Sequence, residues 1–229
     1  MEIEEEQTMS ILKVENLSYD YVTKAGLVHA VKEATAEFEE GKMYAIVGRS
    51  GSGKSTLISL LAGLDEPKTG EIYINGEPLS KMDRDKFRRE NVGMIFQSYY
   101  LLPQLTAREN VELSLELAKK TENKKKLANE LLEQVGLTEF HGKKRAVQLS
   151  GGEQQRVAIA RAIAPNPPII LADEPTGNLD NANSDNIVKI LKELAHEDGK
   201  CVIVITHASE VAAEADVVYK MNDGYLITE

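Results

Sequence analysis

Cysteine is nearly missing from this chain: Cys201 is the only one among 229 residues. No disulfide framework can therefore staple the fold, and a reducing compartment is its natural setting. Cys201 itself lies in the apolar run CVIVIT, where it reads as a small buried hydrophobe. Long apolar runs are also lacking, since none approaches the roughly 20 residues that cross a bilayer. The first residues, MEIEEEQT, are acidic, unlike the basic and apolar start of a secretion signal. If a membrane matters to this protein, another chain spans it. Basic residues are in deficit, with 27 Lys and Arg against 37 Asp and Glu and a net charge of −10. Such a molecule repels polyanions, which argues against nucleic acid as a partner. The balance of 42% hydrophobic and 28% charged residues is ordinary for a globular protein. The length suits one α/β domain with room for an inserted lobe.

The chain is organised around GRSGSGKST, residues 48–56. The apolar run MYAIV precedes it and LISLLAGL follows, giving strand, glycine loop and helix. Gly48, Gly53, Lys54 and Ser55 fit GxxxxGK[ST], a loop whose backbone N–H groups surround nucleotide phosphates. Gly51 and Gly53 let the backbone come close to phosphate oxygens, flanked by Ser50 and Ser52, and the helix adds its N-terminal N–H groups. Lys54 supplies a charge for the β and γ phosphates, and the Ser55 hydroxyl is a ligand for Mg²⁺.

Before this loop, ILKVENLSYDYV and VHAVKEATAEFEEG alternate as strands, with a turn through Thr23 to Gly26. After it, EIYING reads as a short strand, EPLSKMDRDKFRRE as a turn and charged helix, and NVGMIFQ as a strand ending at Gln97. From about Ser98 the pattern becomes helical. Thr106 and Glu109 have capping-box spacing, so VELSLEL is assigned to helix despite its alternation. Leu127, Leu131, Leu132 and Val135 mark a second helix stopped by Gly136, and GKKR at 142–145 reads as the lobe's solvated edge. Ser150 and Glu153 form another capping box in LSGGEQQRVAIARAIA, a helix that stops at PNPP. IILADE is a buried strand that ends in two carboxylates, and buried acids of this kind need a metal or other partner. Ile187, Ile190, Leu191 and Leu194 give an amphipathic helix, and CVIVIT a further buried strand with His207 at its end. Right-handed crossovers then build a doubly wound parallel sheet with the glycine loop, Gln97, Asp173, Glu174 and His207 along one edge.

In this order and spacing, the motifs from about Ile11 to Leu226 resemble the ATP-binding cassette ATPases of transporters. GRSGSGKST is similar to the Walker A loop, Gln97 to the Q-loop, LSGGE to the signature motif, IILADE to the Walker B strand, GNLD at 177–180 to the D-loop and His207 to the switch histidine. The resemblance implies a RecA-like P-loop NTPase core with an N-terminal antiparallel β layer and a helical subdomain inserted at about residues 98–165. It makes residues 1–9 an acidic tail and residues 10–229 one cassette domain. Arg49 departs from the proline or alanine often found there, where only backbone and phosphate neighbours are at stake.

The resemblance also implies roles. Lys54 holds the β and γ phosphates of ATP, Thr56 lies nearer the α-phosphate, and Asp173 holds Mg²⁺ through water together with Ser55. Glu174 polarises the attacking water as general base or its electrostatic equivalent. Gln97 touches Mg²⁺ or that water, and His207 braces Glu174 and the γ-phosphate. Tyr21 stacks on adenine, with Tyr19 as the neighbouring alternative. Ser150, Gly151 and Gly152 complete the site of a second cassette subunit, with Asp180 of the D-loop alongside, in a head-to-tail homodimer. The two glycines would be costly at a helix start unless something approaches closely, in the family a γ-phosphate from the partner.

Chromosome-type cassettes carry long coiled-coil insertions and ribosomal types usually join two cassettes, neither of which suits this chain. A transporter motor docked on a separate integral-membrane permease remains, peripheral on the cytoplasmic face of the membrane. Only about twenty residues follow His207, so the regulatory domain of many importers is expected to be missing. GLDEPKTGEI, FQSYYLLPQLTARENV and ADEPTGNLD look like the group that drives macrolide and antimicrobial-peptide export and lipoprotein release. The cell-division cassette ATPase and a soluble nucleotide-switched interaction module are the alternatives.

Overall fold

The computed structural model describes residues 10–24, 26–120 and 122–228. The acidic tail expected at residues 1–9 lies outside them. Strand β1 (Leu12–Thr23) pairs antiparallel with β2 (Gly26–Phe38), with Thr23 opposite Gly26 as the turn signal requires. Strand β3 (Met43–Val47) leads through the glycine loop to helix α1 (Lys54–Leu61). Two short strands follow, β4 (Thr69–Ile74) and β5 (Glu77–Pro78), then α2 (Arg84–Asn91), capped by the Asp83 carboxylate on the Lys86 N–H, and β6 (Val92–Phe96).

Helices dominate the next stretch: α3 (Ala107–Leu117), α4 (Lys124–Gln134), the single turn α5 (Glu139–Gly142) and α6 (Gly151–Ile163). VELSLEL is helical because the reciprocal Thr106–Glu109 capping box fixes its start, while Val111 and Leu115, four apart, face the core. Gly136, at φ +76°, ends α4: its N–H reaches the Glu133 carbonyl, the Leu137 N–H reaches Leu132, and both leucines are buried. The GKKR stretch exposes Lys143 and Arg145, while its backbone pairs with the start of α3, Ala107 N–H on the Lys144 carbonyl and Ala146 N–H on Leu105.

The chain then returns to strand β7 (Ile169–Asp173), α7 (Asn181–His196), β8 (Cys201–Thr206), the turn α8 (Ser209–Ala212), β9 (Val217–Asn222) and β10 (Tyr225–Thr228). Two sheets result, one ordered β2-β1-β4-β5 and the other β10-β9-β3-β8-β7-β6. In the second sheet β9, β3, β8, β7 and β6 run parallel and β10 turns back antiparallel on β9. This is the α/β P-loop fold with an antiparallel β layer.

Alternation along the buried parallel strands feeds two hydrophobic cores. Ile169, Leu171, Ile203 and Ile205 face a core shared with α1 and the antiparallel sheet. Ile170, Ala172, Val202 and Val204 face the other, shared with α6 and α7 and continuing to Val111, Leu115 and Leu132. Each such aliphatic side chain contributes about 1.5–3 kcal/mol on burial. The helical stretch is thus anchored to the sheet through α6. The parallel strands end together at Val47, Phe96, Asp173 and Thr206, which sets the glycine loop, Gln97, Glu174 and His207 along one edge.

Candidate functional site

The loop between β3 and α1 is built for close approach. Gly53, the N-cap of α1, has φ +107°, and a Cβ there would sit 2.0 Å from the Ala30 carbonyl of β2. The antiparallel layer therefore imposes this glycine as much as any ligand does. At Gly51 nothing lies within 4 Å, and φ +78° is the constraint. Lys54 is buried, its ammonium donating to the Gly48 and Arg49 carbonyls at 2.8 and 3.0 Å, which fixes the charge inside the loop. Arg49 contributes that carbonyl and exposes its side chain. The buried Ser52 hydroxyl has no hydrogen-bond partner among the described residues, Ser50 is exposed, and a Cβ at Gly48 would meet the Met221 carbonyl.

Asp173 ends β7 within hydrogen-bond reach of Ser55. Burial first, and the neighbouring Glu174 second, raise its carboxyl above the ordinary range, against the Ser55 bond and the Lys54 charge. A half-buried carboxyl paired with a hydroxyl and crowded by a second acid is the donor set that a divalent cation on phosphate relieves. Glu174 follows at φ +49°, a left-handed backbone rare for a non-glycine residue and of order 1–3 kcal/mol in strain. Its N–H is held by the Ile205 carbonyl at 3.0 Å, and its carboxylate meets His207 Nδ1 at 2.9 Å. His207 is itself mostly exposed at the end of β8.

Gln97 is turned toward the loop after Glu174. Its Nε2 donates to Asn178 Oδ1 at 3.2 Å, and Asn178 Nδ2 donates to the Gln97 carbonyl at 3.1 Å. Gln97 is thus tied to the 177–180 stretch through Asn178. The Tyr21 hydroxyl lies 3.3 Å from that of Thr56, with its ring half-exposed beside α1, whereas Tyr19 packs against the core and meets Tyr21 edge-on. Of the two aromatics, Tyr21 is the one available to a base.

Ser150 is exposed at the start of α6, its hydroxyl accepting the Glu153 N–H at 3.3 Å while Glu153 accepts the Ser150 N–H at 2.7 Å. Inside the chain, what crowds the two glycines is Tyr99 and Asn183. A Cβ at Gly151 would lie 3.0 Å from the Tyr99 hydroxyl, and one at Gly152 only 2.2 Å from Asn183 Oδ1. Asn183 is in turn tied by its N–H and its amide to Asp180, the N-cap of α7, and these bonds hold the Asp180 carboxyl below its ordinary range. Arg161 clamps the segment after Gln97 by donating to the Tyr99 and Tyr100 carbonyls. Asn178 lies inside GNLD, Arg161 inside LSGGEQQRVAIARAIA and Tyr99 inside FQSYYLLPQLTARENV, yet the sequence assigns none of them a role, and Asn183 lies outside every motif read from it.

Three comparisons bear on this arrangement. The ABC transporter family model matches residues 31–177. The lipoprotein-releasing system ATP-binding protein LolD of Francisella tularensis is 41% identical over 221 residues, covering 94% of this chain and 95% of that protein. Among solved structures, the dimeric cassette MJ0796 of Methanocaldococcus jannaschii superposes with a TM-score of 0.86 at 40% identity, covering 95% of this chain and 97% of that one. The same cassette as a post-hydrolysis dimer bound to ADP and Pi gives a TM-score of 0.86 at 39% identity, with the same coverage.

Proposed function

This chain belongs to the ABC transporter family as an ATP-binding, ATP-hydrolysing cassette, and we propose that two copies close head to tail on two ATP molecules to move a separate integral-membrane permease. The carrying observation is the line of Lys54, Ser55, Asp173, Glu174 and His207 along the carboxyl ends of β3, β7 and β8. Tyr21 stacks on the adenine, and Lys54 with the backbone of Gly48, Ser50, Gly51, Ser52, Gly53 and Thr56 holds the phosphates. The orphaned Ser52 hydroxyl supports a phosphate in this loop. Ser55 and Asp173 hold Mg²⁺, which when bound neutralises charge developing on the phosphate oxygens.

Glu174 orients and deprotonates the attacking water, and its bond to His207 keeps the carboxylate from turning away. Gln97 leaves Asn178 to join the metal or the water when nucleotide arrives. The partner's site is completed from this chain by Ser150, Gly151, Gly152 and Asp180. Ser150 and Asp180 are exposed at the starts of α6 and α7, which favours that role, whereas Gly151 is part-buried and Gly152 buried.

Among the described residues no helix is long and apolar enough to cross a membrane. Docking on a permease at the cytoplasmic face of the membrane, by way of the helical segment at about residues 98–165 of the single cassette 10–229, is the natural extension. The likeness to the lipoprotein-releasing ATPase favours a role in lipoprotein release or in export of antimicrobial peptides or macrolides. Phosphate release by the purified chain, with and without Mg²⁺ and with Lys54→Ala, tests the enzyme. Pull-down from detergent-solubilised membranes tests the transporter: a multi-pass protein retained in stoichiometric amount supports it, and its absence contradicts it.

A further inference from the structure

The signature turn has a support that the nucleotide site does not account for. Thr138 is the N-cap of α5, and the helix's third residue, His141, reaches back so that Nδ1 accepts the Thr138 N–H at 3.2 Å. The Thr138 hydroxyl lies 2.9 Å from the same nitrogen. A nitrogen that accepts from a backbone N–H carries no proton in the neutral ring, so the proton sits on Nε2. Nε2 faces Glu153 Oε1 at 3.2 Å. The other oxygen of Glu153 accepts the Ser150 N–H at 2.7 Å. Both pairs are mostly shielded from water, with the His141 and Glu153 side chains 24% and 20% exposed.

The Ser150 hydroxyl lies within reach of the Glu153 carboxylate. We propose that His141 is a positioning residue for the trans site: its contact with one oxygen of Glu153 weakens that carboxylate's hold on the Ser150 proton, so that the partner's γ-phosphate can take it. The Ser150 oxygen already accepts the Glu153 N–H, so its proton is what it has left to donate. A carboxylate three residues away is the strongest local competitor for that proton. With His141 Nε2 in contact with Oε1 and the Ser150 N–H on Oε2, each carboxylate oxygen has a polar neighbour. Lys144, and Arg156 on α6 itself, also temper the charge of Glu153, after His141. Glu153 also brings negative charge to the turn that receives a phosphate, which a donor from His141 partly offsets.

The inference rests on the trans-site reading given above, and the experiment separates the two. With the purified full chain, ATP turnover is measured beside binding of the fluorescent probe TNP-ATP to the monomer. His141→Leu is expected to lower kcat about threefold to tenfold, the size of one ordinary polar contact, and to leave TNP-ATP affinity unchanged. His141→Gln, which keeps an acceptor for Thr138 and a donor for Glu153, is expected to restore most of the turnover. In a Glu153→Gln background, where no carboxylate competes, the His141→Leu effect should shrink below about twofold, as coupled pairs do. Wild-type turnover in His141→Leu, or an equal loss in both backgrounds, overturns the proposal. If His141→Leu does not fold, the shorter His141→Asn takes its place: a loss relative to His141→Gln supports the proposal and parity overturns it. Ser150→Phe is run in parallel. If it turns over normally the trans-site reading itself fails, and if it is inactive while His141→Leu is normal only the role of His141 fails.

Discussion

Gln97 and Asn178 hold each other face to face, each side-chain amide donating to the other residue. Gly177 beside them has no room for a Cβ, which would lie 2.7 Å from Gln97 Nε2. The end of β6 and the loop after β7 are therefore tied together, and the mechanism proposed above has Gln97 give up Asn178. Removing the latch by Asn178→Ala frees Gln97. One hydrogen bond is worth about 0.5–1.5 kcal/mol, so ATP affinity should rise roughly twofold to tenfold, measured by titration with TNP-ATP. Unchanged affinity would show that the latch is energetically silent.

Glu174→Gln retains the backbone bond to Ile205 and an amide oxygen within reach of His207, while removing the base. Turnover should fall by about 10²–10⁴-fold, the usual contribution of a positioned general base. ATP binding should survive. Hydrolysis at the wild-type rate would remove Glu174 from the chemistry.

Gly152→Ala places a methyl group on the Asn183 side chain. Either the core of the turn is overpacked or Asn183 swings out and loses Asp180, and overpacking costs about 1–3 kcal/mol. Tm of the isolated monomer should drop by several degrees without any nucleotide, and Asn183→Ala should restore it. A monomer of unchanged Tm would mean that the glycine serves the partner alone.

Asp173 gives a pH signature. Its carboxyl is raised from 3.8 by burial and by Glu174, so the native state holds this proton more tightly than the unfolded chain does. Stability from this group is present below 3.8 and is lost as pH rises through the raised native value. Asp173→Asn keeps an acceptor for Ser55 and removes the charge. Without nucleotide the variant should melt at a higher temperature than the wild type at pH 7 and lose that advantage toward pH 3.5, while Mg²⁺-dependent hydrolysis disappears. Equal melting curves at both pH values would contradict the assignment of strain to this carboxyl.

Much of this was legible in the sequence because the local signals agree with one another. The two capping boxes at Thr106 and Ser150, the Gly136 stop and the alternating residues of β7 and β8 each specify the element in which they are found. The parallel strands, read as apolar runs, place Gln97, Asp173, Glu174 and His207 at one edge through topology alone. What could not be read is pairing across long separations. Gln97 with Asn178, Gly151 with Tyr99 and Gly53 with Ala30 each bring a loop residue against a distant part of the chain, and no local periodicity encodes that. The signature glycines had been assigned to a partner's phosphate, and the chain's own Tyr99 and Asn183 supply a second reason for them. His141 carries no signal in the sequence, where a histidine in a helical turn looks like any polar surface residue.

Light scattering during size-exclusion chromatography of Glu174→Gln, alone and combined with Ser150→Phe, tests the head-to-tail sandwich most directly. The single variant should elute as a monomer without nucleotide and as a dimer with ATP, and the double variant should remain a monomer in saturating ATP while still binding TNP-ATP. A double variant that dimerises as well as the single one, or a single variant that stays monomeric in ATP, would contradict it.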